Sequence, residues 1–199
     1  MDLDALAPWR ERARFDVPGL APPVIVGCSG GADSVALLAL AVDAGLAPVA
    51  VHVDHGLRDG SGAERDAVQS VASVLGAGFR CTTVAVGPGG NVEARARAAR
   101  YDALRRARDD VGASVVLVGH TQDDQAETVL LNLMRGSAAA GLAGMAHHRD
   151  GILRPLLAMR RRETRALCEC LMLPVVHDPM NDDHTFGRVA VRREVLPML

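Results

Sequence analysis

Three short polar clusters contain residue types that bind phosphate or a divalent cation. They read Ser29-Gly30-Gly31-Ala32-Asp33-Ser34, then Asp54-His55-Gly56-Leu57-Arg58, then His120 to Thr128. Each cluster directly follows a short apolar run that is typical of a buried strand. In an open parallel sheet, ligands bind beyond the carboxyl ends of the strands. We therefore expect the three clusters to form one site.

The first cluster predicts a phosphate-binding loop. Gly30 and Gly31 stand between a strand and a helix, where main-chain N–H groups can point inward beside the positive helix end and bind phosphate oxygens. Ser29 and Ser34 add hydroxyl donors. The carboxylate of Asp33 would repel a phosphate unless a Mg²⁺ ion accepted oxygens from both groups. In the alternative interpretation, Asp33 or Ser34 only caps the helix and the glycines form a tight turn.

The third cluster predicts an acidic turn with a need for a cation. Asp123 and Glu127 are four residues apart, so in a helix they are like charges whose proximity costs roughly a few tenths of a kcal/mol. Asp33, Asp123 and Asp124 are the predicted Mg²⁺ ligands; helix capping by the acidic residues is the alternative. His120 directly follows a strand, where a neutral imidazole is suited to bind phosphate or relay a proton. It could equally satisfy backbone groups of the loop.

The sequence contains no lysine, so all 22 basic residues are arginine. This excludes a Walker A loop, whose lysine reaches the β- and γ-phosphates, and a lysine nucleophile. Arg135, where a predicted helix meets the Gly/Ala-rich residues 136–144, is a candidate partner for phosphate charge in a transition state. An arginine on the surface at a helix end is the alternative interpretation.

Further arginines are candidates for RNA contact. The densest groups are residues 160–162 with Arg165, and Arg188 with Arg192 and Arg193. Charge runs are usually solvated faces, so each group has that alternative.

Apolar runs alternate with helical patterns along the chain, and these elements position the clusters. The predicted strands are residues 24–28, 48–53, 80–86, 115–119 and 175–177; the predicted helices are 34–44, 62–75, 91–111, 124–134 and 161–171. β-branched, uninterrupted runs suit strands buried on both faces of a parallel sheet. The alternation predicts an α/β fold, doubly wound around a mostly parallel five-stranded sheet. We also expect helices over residues 3–15 and 189–199.

Composition is typical of one packed domain, since 49% of the 199 residues are hydrophobic and the net charge is −2. No apolar run is long enough to span a membrane. Cys28, Cys81, Cys168 and Cys170 lack metal-ligand spacing and indicate reduced thiols, so we expect a cytoplasmic protein. We divide the chain into a catalytic domain, residues 1–176, and a polar loop with a basic helix, residues 177–199, that starts a linker to an RNA-binding region.

These clusters resemble the PP-loop, or N-type, ATP pyrophosphatases, whose signature Ser-Gly-Gly-x-Asp-Ser follows the first strand of an adenine nucleotide alpha-hydrolase-like fold. Within that group the sequence resembles the catalytic part of the tRNA(Ile)-lysidine synthetases. The most discriminating match is Asp123-Asp124-Gln125-Ala126-Glu127-Thr128 followed by Arg135-Gly136-Ser137. Further matches are residues 52–58, 91–101, 141–142, 154–157 and 178–182. The chain departs at Val189, where many members have asparagine, and members usually continue well beyond Leu199.

The resemblance implies a reaction and a set of residue roles. The C2 carbonyl oxygen of the wobble cytidine in tRNA(Ile) with a CAU anticodon attacks the α-phosphorus of ATP; the ε-amine of free L-lysine then displaces AMP. The implied roles are ATP binding by Ser29, Gly30, Gly31, Ala32, Asp33, Ser34, His52 and Asp54; catalysis by Asp33, His120, Asp123, Asp124 and Arg135; and RNA or substrate contact by His55, Arg58, Glu93, Arg97, Arg188 and Arg192.

The implied cofactors are ATP, as substrate, and Mg²⁺. The implied partners are tRNA(Ile) and free L-lysine. We expect no membrane partner, and whether the protein forms a homodimer is left open. Two alternatives remain at this point: another PP-loop enzyme acting on tRNA, such as a thiolase, and a non-catalytic module that binds adenine nucleotides.

Overall fold

A computed structural model describes residues 3–54, 61–85, 92–137, 142–176 and 190–198. In these residues a six-stranded sheet is covered by helices on both faces. The strands are β1 Val24–Gly27, β2 Pro48–Asp54, β3 Gly78–Thr83, β4 Val116–Val118, β5 His148–Arg149 and β6 Ile152–Leu153. The α-helices are α1 Ala7–Arg10, α2 Ala32–Asp43, α3 Ser61–Leu75, α4 Val92–Val111, α5 Gln122–Met134 and α6 Arg161–Cys170.

The strand order is β3-β2-β1-β4-β6-β5, and every neighbouring pair is parallel except β5 with β6. Side chains alternate between two cores, because successive residues of a strand point to opposite faces. Val24 and Val26 lie in the core formed with α2, α3 and α6, whereas Ile25 lies in the core formed with α4. The predicted doubly wound, mostly parallel α/β fold is therefore confirmed.

The outer part of the sheet differs from the prediction. Val175 and Val176 belong to no strand, so the predicted fifth strand is wrong at these two residues. The sheet continues instead through the short hairpin β5–β6, joined by Asp150 and Gly151, both with positive φ (54° and 71°). Asp-Gly is a strong signal for such a two-residue turn, but strands of two residues leave no readable periodicity.

The helix bounds move the polar clusters relative to the prediction. α2 and α5 each begin two residues earlier than predicted, which places Asp33 in the first turn of α2 and Asp123 with Asp124 in the first turn of α5. The N-terminal helix is shorter than predicted, with a 3-10 turn over Leu3–Leu6 before α1. Residues 190–198 are helical, with a π-helical turn at Val191–Val195 and a 3-10 turn at Leu196–Met198.

Membrane insertion of a helix is not supported by these elements. Among the described residues, no helix combines the length and the apolar character that a membrane crossing requires.

Candidate active site at the carboxyl edge of the sheet

The loop after β1 and the turn after β4 lie next to each other. Chain order reverses between β1 and β4, since β2 and β3 extend the sheet on one side and β4, β6 and β5 on the other. Such a topological switch point is where open α/β sheets bind ligands. The two segments are tightly packed: a Cβ on Gly119 would lie 2.8 Å from the carbonyl oxygen of Asp33. The predicted meeting of the first and third clusters therefore occurs.

The buried side chain of Ser34 stabilises the conformation of the glycine loop. Its hydroxyl donates to the carbonyl oxygen of Gly31 at 2.8 Å and accepts the main-chain N–H of Ser29 at 3.2 Å. Gly31 has extended backbone as the residue before α2 and makes no side-chain cap. Because the Ser34 proton is used within the loop and its side chain is buried, exposed Ser29 is the better placed hydroxyl for a ligand.

Gly30 adopts a φ of +89°, a left-handed conformation that favours glycine. A Cβ at this position would also lie 3.1 Å from Cγ2 of Val176. The main-chain N–H of Val176 donates to the carbonyl oxygen of Gly30 at 2.9 Å. Val176, which the sequence placed in a strand, therefore covers the Gly30-Gly31 loop.

The start of α5 is closed by a capping box. Oδ2 of Asp124 accepts the main-chain N–H of Thr121 at 2.8 Å and its hydroxyl at 2.9 Å, and the hydroxyl of Thr121 accepts the N–H of Asp124 at 3.5 Å. Helix capping, the alternative interpretation, is therefore correct for Oδ2 of Asp124. The other oxygen, Oδ1, takes no part in the cap and faces the rest of the site.

Arg161, the first residue of α6, connects three of the predicted site carboxylates. Its Nη2 lies 2.8 Å from Oδ1 of Asp124 and its Nε 3.5 Å from Oδ2 of Asp33. Its main-chain N–H donates to Oδ2 of Asp123 at 2.8 Å. The hydroxyl of Thr164 also donates to Asp33. In this arrangement the guanidinium group of Arg161 lies between the acidic turn and the glycine loop.

Glu127 is fully buried and is paired with two arginines. Nε of Arg192 lies 2.7 Å from its Oε1, and Nη1 of Arg161 lies 3.4 Å from the same oxygen. Arg192, expected to contact RNA, is thus held inside the protein, and so is Arg161 from the basic run 160–162. Full burial of a carboxylate requires such pairing, because an isolated charge in the interior is very costly.

The burial and charges of this cluster shift the pKa values of its members. Burial raises the pKa of Asp33 despite the opposing effects of Thr164 and Arg161. Burial also acts to raise the pKa of Asp124, but Arg161 and the hydrogen bonds from Thr121 outweigh it, so that pKa is lowered. Asp124 is therefore a carboxylate at neutral pH and a weak base.

The described residues do not form a magnesium cage. No group of three or more His, Cys, Asp or Glu side chains within the described ranges is arranged to hold a metal ion. Asp33, Asp123 and Asp124 all contact Arg161. Mg²⁺ is commonly held by one or two carboxylates together with substrate phosphates, so the magnesium prediction stays a prediction.

His120 follows β4 and has a buried nitrogen, Nδ1, with no hydrogen-bond partner among the described residues. Burial lowers the pKa of His120 to about 3. The imidazole is therefore neutral at physiological pH. An unpaired buried nitrogen calls for an explanation, and contact with a ligand stays the prediction for His120.

The remaining predicted residues lie in four different places. Nδ1–H of His52 donates to the carbonyl oxygen of Cys28 at 3.2 Å, so this buried histidine fixes the approach to the loop; Asp54 ends β2 nearby in sequence. Arg135 ends α5, about 18 Å along the helix axis from Asp123, and the structure does not bring it to the cluster. His55, Arg58 and Arg188 lie outside the described residues, as does the side chain of Glu93. Arg97 lies on α4, on the sheet face opposite α2.

Thr164 had no predicted role, Glu127 was predicted only as part of the acidic turn, and Arg161 was predicted only as one of a run of arginines that contact RNA. The signal for Arg161 was indirect. A like-charge pair such as Asp123 and Glu127 requires a cation, and in a sequence without lysine a protein cation must be arginine or histidine. The sequence could not show which arginine pairs with the acidic turn, because Arg161 is 34 positions from Glu127 and 37 from Asp124.

A glycine loop at a topological switch point, beside a helix start, is the arrangement at which open α/β proteins bind ligands. The family model described as "PP-loop domain" matches residues 13–199. The chain belongs to this PP-loop family.

Relatives with known names are similar over most of the chain. A tRNA(Ile)-lysidine synthase of Nocardia farcinica is 50% identical over 184 residues, covering 92% of this chain and 57% of the relative. The enzyme of the same name from Streptomyces coelicolor is 46% identical, covering 95% and 56%. The chain spans somewhat more than half the length of these relatives.

Solved structures share the fold. A U34-tRNA thiolase, NcsA, from Methanococcus maripaludis with its [4Fe-4S] cluster has a TM-score of 0.68 at 18% identity, covering 98% of this chain and 78% of that one. An NMN synthetase from Francisella tularensis has a TM-score of 0.58 at 16% identity, covering 86% and 70%. At these identities the likeness concerns the fold alone.

Proposed function

We propose that this chain carries the ATP site and the catalytic centre of a tRNA(Ile)-lysidine synthetase. One observation carries the proposal: the Ser29-Gly30-Gly31 loop opens at the β1/β4 switch point beside the start of α2. The 44–50% identity to enzymes of that name supports the choice of substrate. ATP would place its β- and γ-phosphates on residues 29–34, leaving the α-phosphorus exposed toward His120.

The reaction has two balanced steps. In the first, the C2 carbonyl oxygen of the wobble cytidine bonds to the α-phosphorus while the bond from that phosphorus to the bridging oxygen breaks, releasing pyrophosphate. In the second, the ε-amine of free L-lysine bonds to C2 and the C2–O bond breaks, releasing AMP. The amine must first lose a proton, which costs about 4–5 kcal/mol at neutral pH.

The chain's own groups have distinct parts in this scheme. Main-chain N–H groups of the loop and the hydroxyl of Ser29 hold phosphate oxygens. Neutral His120 exchanges hydrogen bonds with the reacting phosphate or nucleobase, and its low pKa makes it a poor proton acceptor. Asp123 remains as the base for the amine, because the lowered pKa of Asp124 makes that carboxylate a weak base. Arg161 fixes Asp33 and Asp124 in position.

Mg²⁺ is part of the proposal and is supported by the charge balance. Four carboxylates, of Asp33, Asp123, Asp124 and Glu127, face two guanidinium groups, of Arg161 and Arg192. This leaves two negative charges beside the loop that would receive the phosphates of ATP. A divalent cation there would neutralise charge between phosphate and carboxylate, with Asp33 and Asp123 as the best placed ligands.

The test is product analysis with α-labelled ATP. We expect AMP release that depends on both lysine and a tRNA with a CAU anticodon. Ser29→Ala and Asp33→Asn should lower that release at least about 100-fold, because Ser29 would contact the phosphates and Asp33 would hold the cation that neutralises them in the transition state. Ser70→Ala and Asp109→Asn, exposed changes of the same chemistry on α3 and α4, serve as matched controls and should leave it unchanged.

Other products would contradict the proposal in recognisable ways. ADP would exclude attack at the α-phosphorus. AMP release that requires a sulfur donor instead of lysine would indicate thiolation. ATP binding without any AMP would favour a non-catalytic nucleotide module. Normal turnover in Ser29→Ala and Asp33→Asn would remove residues 29–34 from the reaction.

A further inference from the structure

A second basic feature lies outside the acidic cluster. A pocket of about 420 Å³ lies between α4 and the β5–β6 hairpin, on the sheet face opposite α2. Its wall includes four arginines, and its floor includes the apolar side chains of Ala94, Ala98 and Ile152.

Two of the four arginines have no carboxylate partner. Asp102 pairs with Arg105 at 3.0 Å, and Asp150 pairs with Arg149 at 3.4 Å. Among the described residues no carboxylate pairs with the other two, Arg97 and Arg154. The pocket therefore carries uncompensated positive charge in a concave surface, where electrostatic attraction for an anion is concentrated.

Both of these arginines are held in place with donors to spare. The guanidinium carbon of Arg97 lies 5.3 Å from the ring centre of Tyr101, and its Nη2 donates to the Tyr101 hydroxyl at 3.4 Å. Nη1 of Arg154 donates to the carbonyl oxygen of Ala146 at 2.9 Å. Its Nε is buried and has no partner in the described parts of the chain. An unsatisfied buried N–H is costly, and a phosphate oxygen would satisfy it.

The pocket extends toward the candidate active site. Arg154 directly follows β6, which lies beside β4, and β4 leads to His120. α4 begins at the same edge of the sheet, because it follows β3 and returns to β4. The charges of Arg97, Arg100 and Arg154 also contribute to the lowered pKa of His120, after burial. An anion held by Arg97 and Arg154 would therefore lie on the side of the pocket that leads to His120.

We propose that Arg97 and Arg154 bind a phosphodiester group of the substrate RNA, belonging to a nucleotide that flanks the one entering the active site. Guanidinium groups form paired hydrogen bonds with phosphate, and the apolar floor accommodates the edge of a sugar or base. This inference rests on the proposed function for the identity of the RNA. A phosphate of ATP has the same chemistry, and the experiment separates the two sources.

The experiment measures binding of a fluorescein-labelled RNA hairpin with a CAU-containing loop to the 199-residue chain. Affinity is determined from about 50 to 200 mM salt, because each phosphate contact contributes to the slope of log K against log[salt]. The variants are Arg97→Gln, Arg154→Gln and the pair. Arg106→Gln is the control, since Arg106 is an exposed arginine on the same helix that lines a different pocket. Arg154→Lys keeps the charge and tests packing.

We expect the double variant to bind RNA about 10- to 100-fold more weakly at low salt, with a slope smaller by about one, because one phosphate contact is lost. Arg106→Gln should keep both values, and Arg154→Lys should keep the slope. ATP affinity should not change in any of these variants.

Three results would overturn the proposal: an unchanged slope in the double variant, an equal loss in Arg106→Gln, or no RNA binding by the unaltered chain at low salt. A loss of ATP affinity in place of RNA affinity would assign the pocket to the nucleotide. Failure of the proposed function looks different, because RNA would then bind through Arg97 and Arg154 without any lysine-dependent AMP release.

Discussion

Arginine serves two different purposes in two neighbouring regions of this molecule. In the acidic cluster, Arg161 and Arg192 are mostly buried, with 16% and 27% of their side chains exposed, and both contact the fully buried Glu127. In the pocket beside α4, Arg97 and Arg154 have no carboxylate partner among the described residues. The first pair is committed to the fold and the second is available to a ligand. The number of basic residues in a sequence therefore says little about RNA binding until their partners are known.

The largest expected effect on stability comes from breaking the buried ion pairs of the acidic cluster. Glu127→Gln leaves two guanidinium groups without their shared carboxylate and should lower the free energy of unfolding by about 3–5 kcal/mol. Chemical denaturation measures the change. Asp66→Asn, which breaks the exposed pair with Arg65, is the matched control and should cost less than about 1 kcal/mol. Equal effects in the two variants would mean that the cluster is not a structural unit.

The pocket arginines should have a much smaller effect on stability. Arg97→Gln with Arg154→Gln should change the free energy of unfolding by less than about 1 kcal/mol, since neither residue loses an ion pair. The same denaturation experiment applies, and it also shows that the RNA-binding variants are folded. A loss comparable to that of Glu127→Gln would make Arg97 and Arg154 structural residues and remove the contrast between the regions.

The smallest effect should appear at His120, which lies between the two regions. Its pKa is lowered mainly by burial, then raised by Asp124 and lowered by Arg97, Arg100 and Arg154. Removing Arg97 and Arg154 should raise this pKa, and Asp124→Asn should lower it, each by roughly half a pH unit. NMR titration of the imidazole measures both, with His120→Asn to assign the signal. A value near 6.5 in the unaltered chain would contradict the burial of the ring.

His120 also predicts a dependence of stability on pH. Its pKa is about 3 in the fold and about 6.5 in an unfolded chain. Between these values the unfolded chain binds more protons, so the contribution of His120 to stability is lost as pH falls from 6.5 toward 3. His120→Asn should show a shallower decline over that range in thermal unfolding measurements, and an identical decline would exclude this contribution.

Local patterns predicted most of the fold. β1, β2, β4 and the long helices were located within two residues, because buried apolar runs and helical periodicity depend only on neighbouring residues. The glycine loop was equally readable, since Gly30 requires a conformation that few other residues adopt. The β5–β6 hairpin was missed although Asp150-Gly151 is a turn signal, because its strands are too short to confirm the turn.

The candidate site was harder to predict, because its ion pairs join distant parts of the chain. The acidic turn was recognised, but its partners were not, since Arg192 is 65 positions from Glu127. Spacing also could not separate Arg161, which is buried against carboxylates, from exposed Arg160 next to it. Pairing of this kind is decided by three-dimensional packing and leaves no local pattern.

The contact between Val176 and Gly30 has a practical consequence for protein engineering. The six-residue signature is shaped by a chain segment 146 positions away, which donates a hydrogen bond and occupies the space a side chain at position 30 would need. Grafting the signature onto another strand–turn–helix scaffold would therefore transfer its residues without the main-chain conformation of the loop. A successful graft must therefore include, besides the glycines, a residue that packs against the loop and donates a hydrogen bond to it as Val176 does.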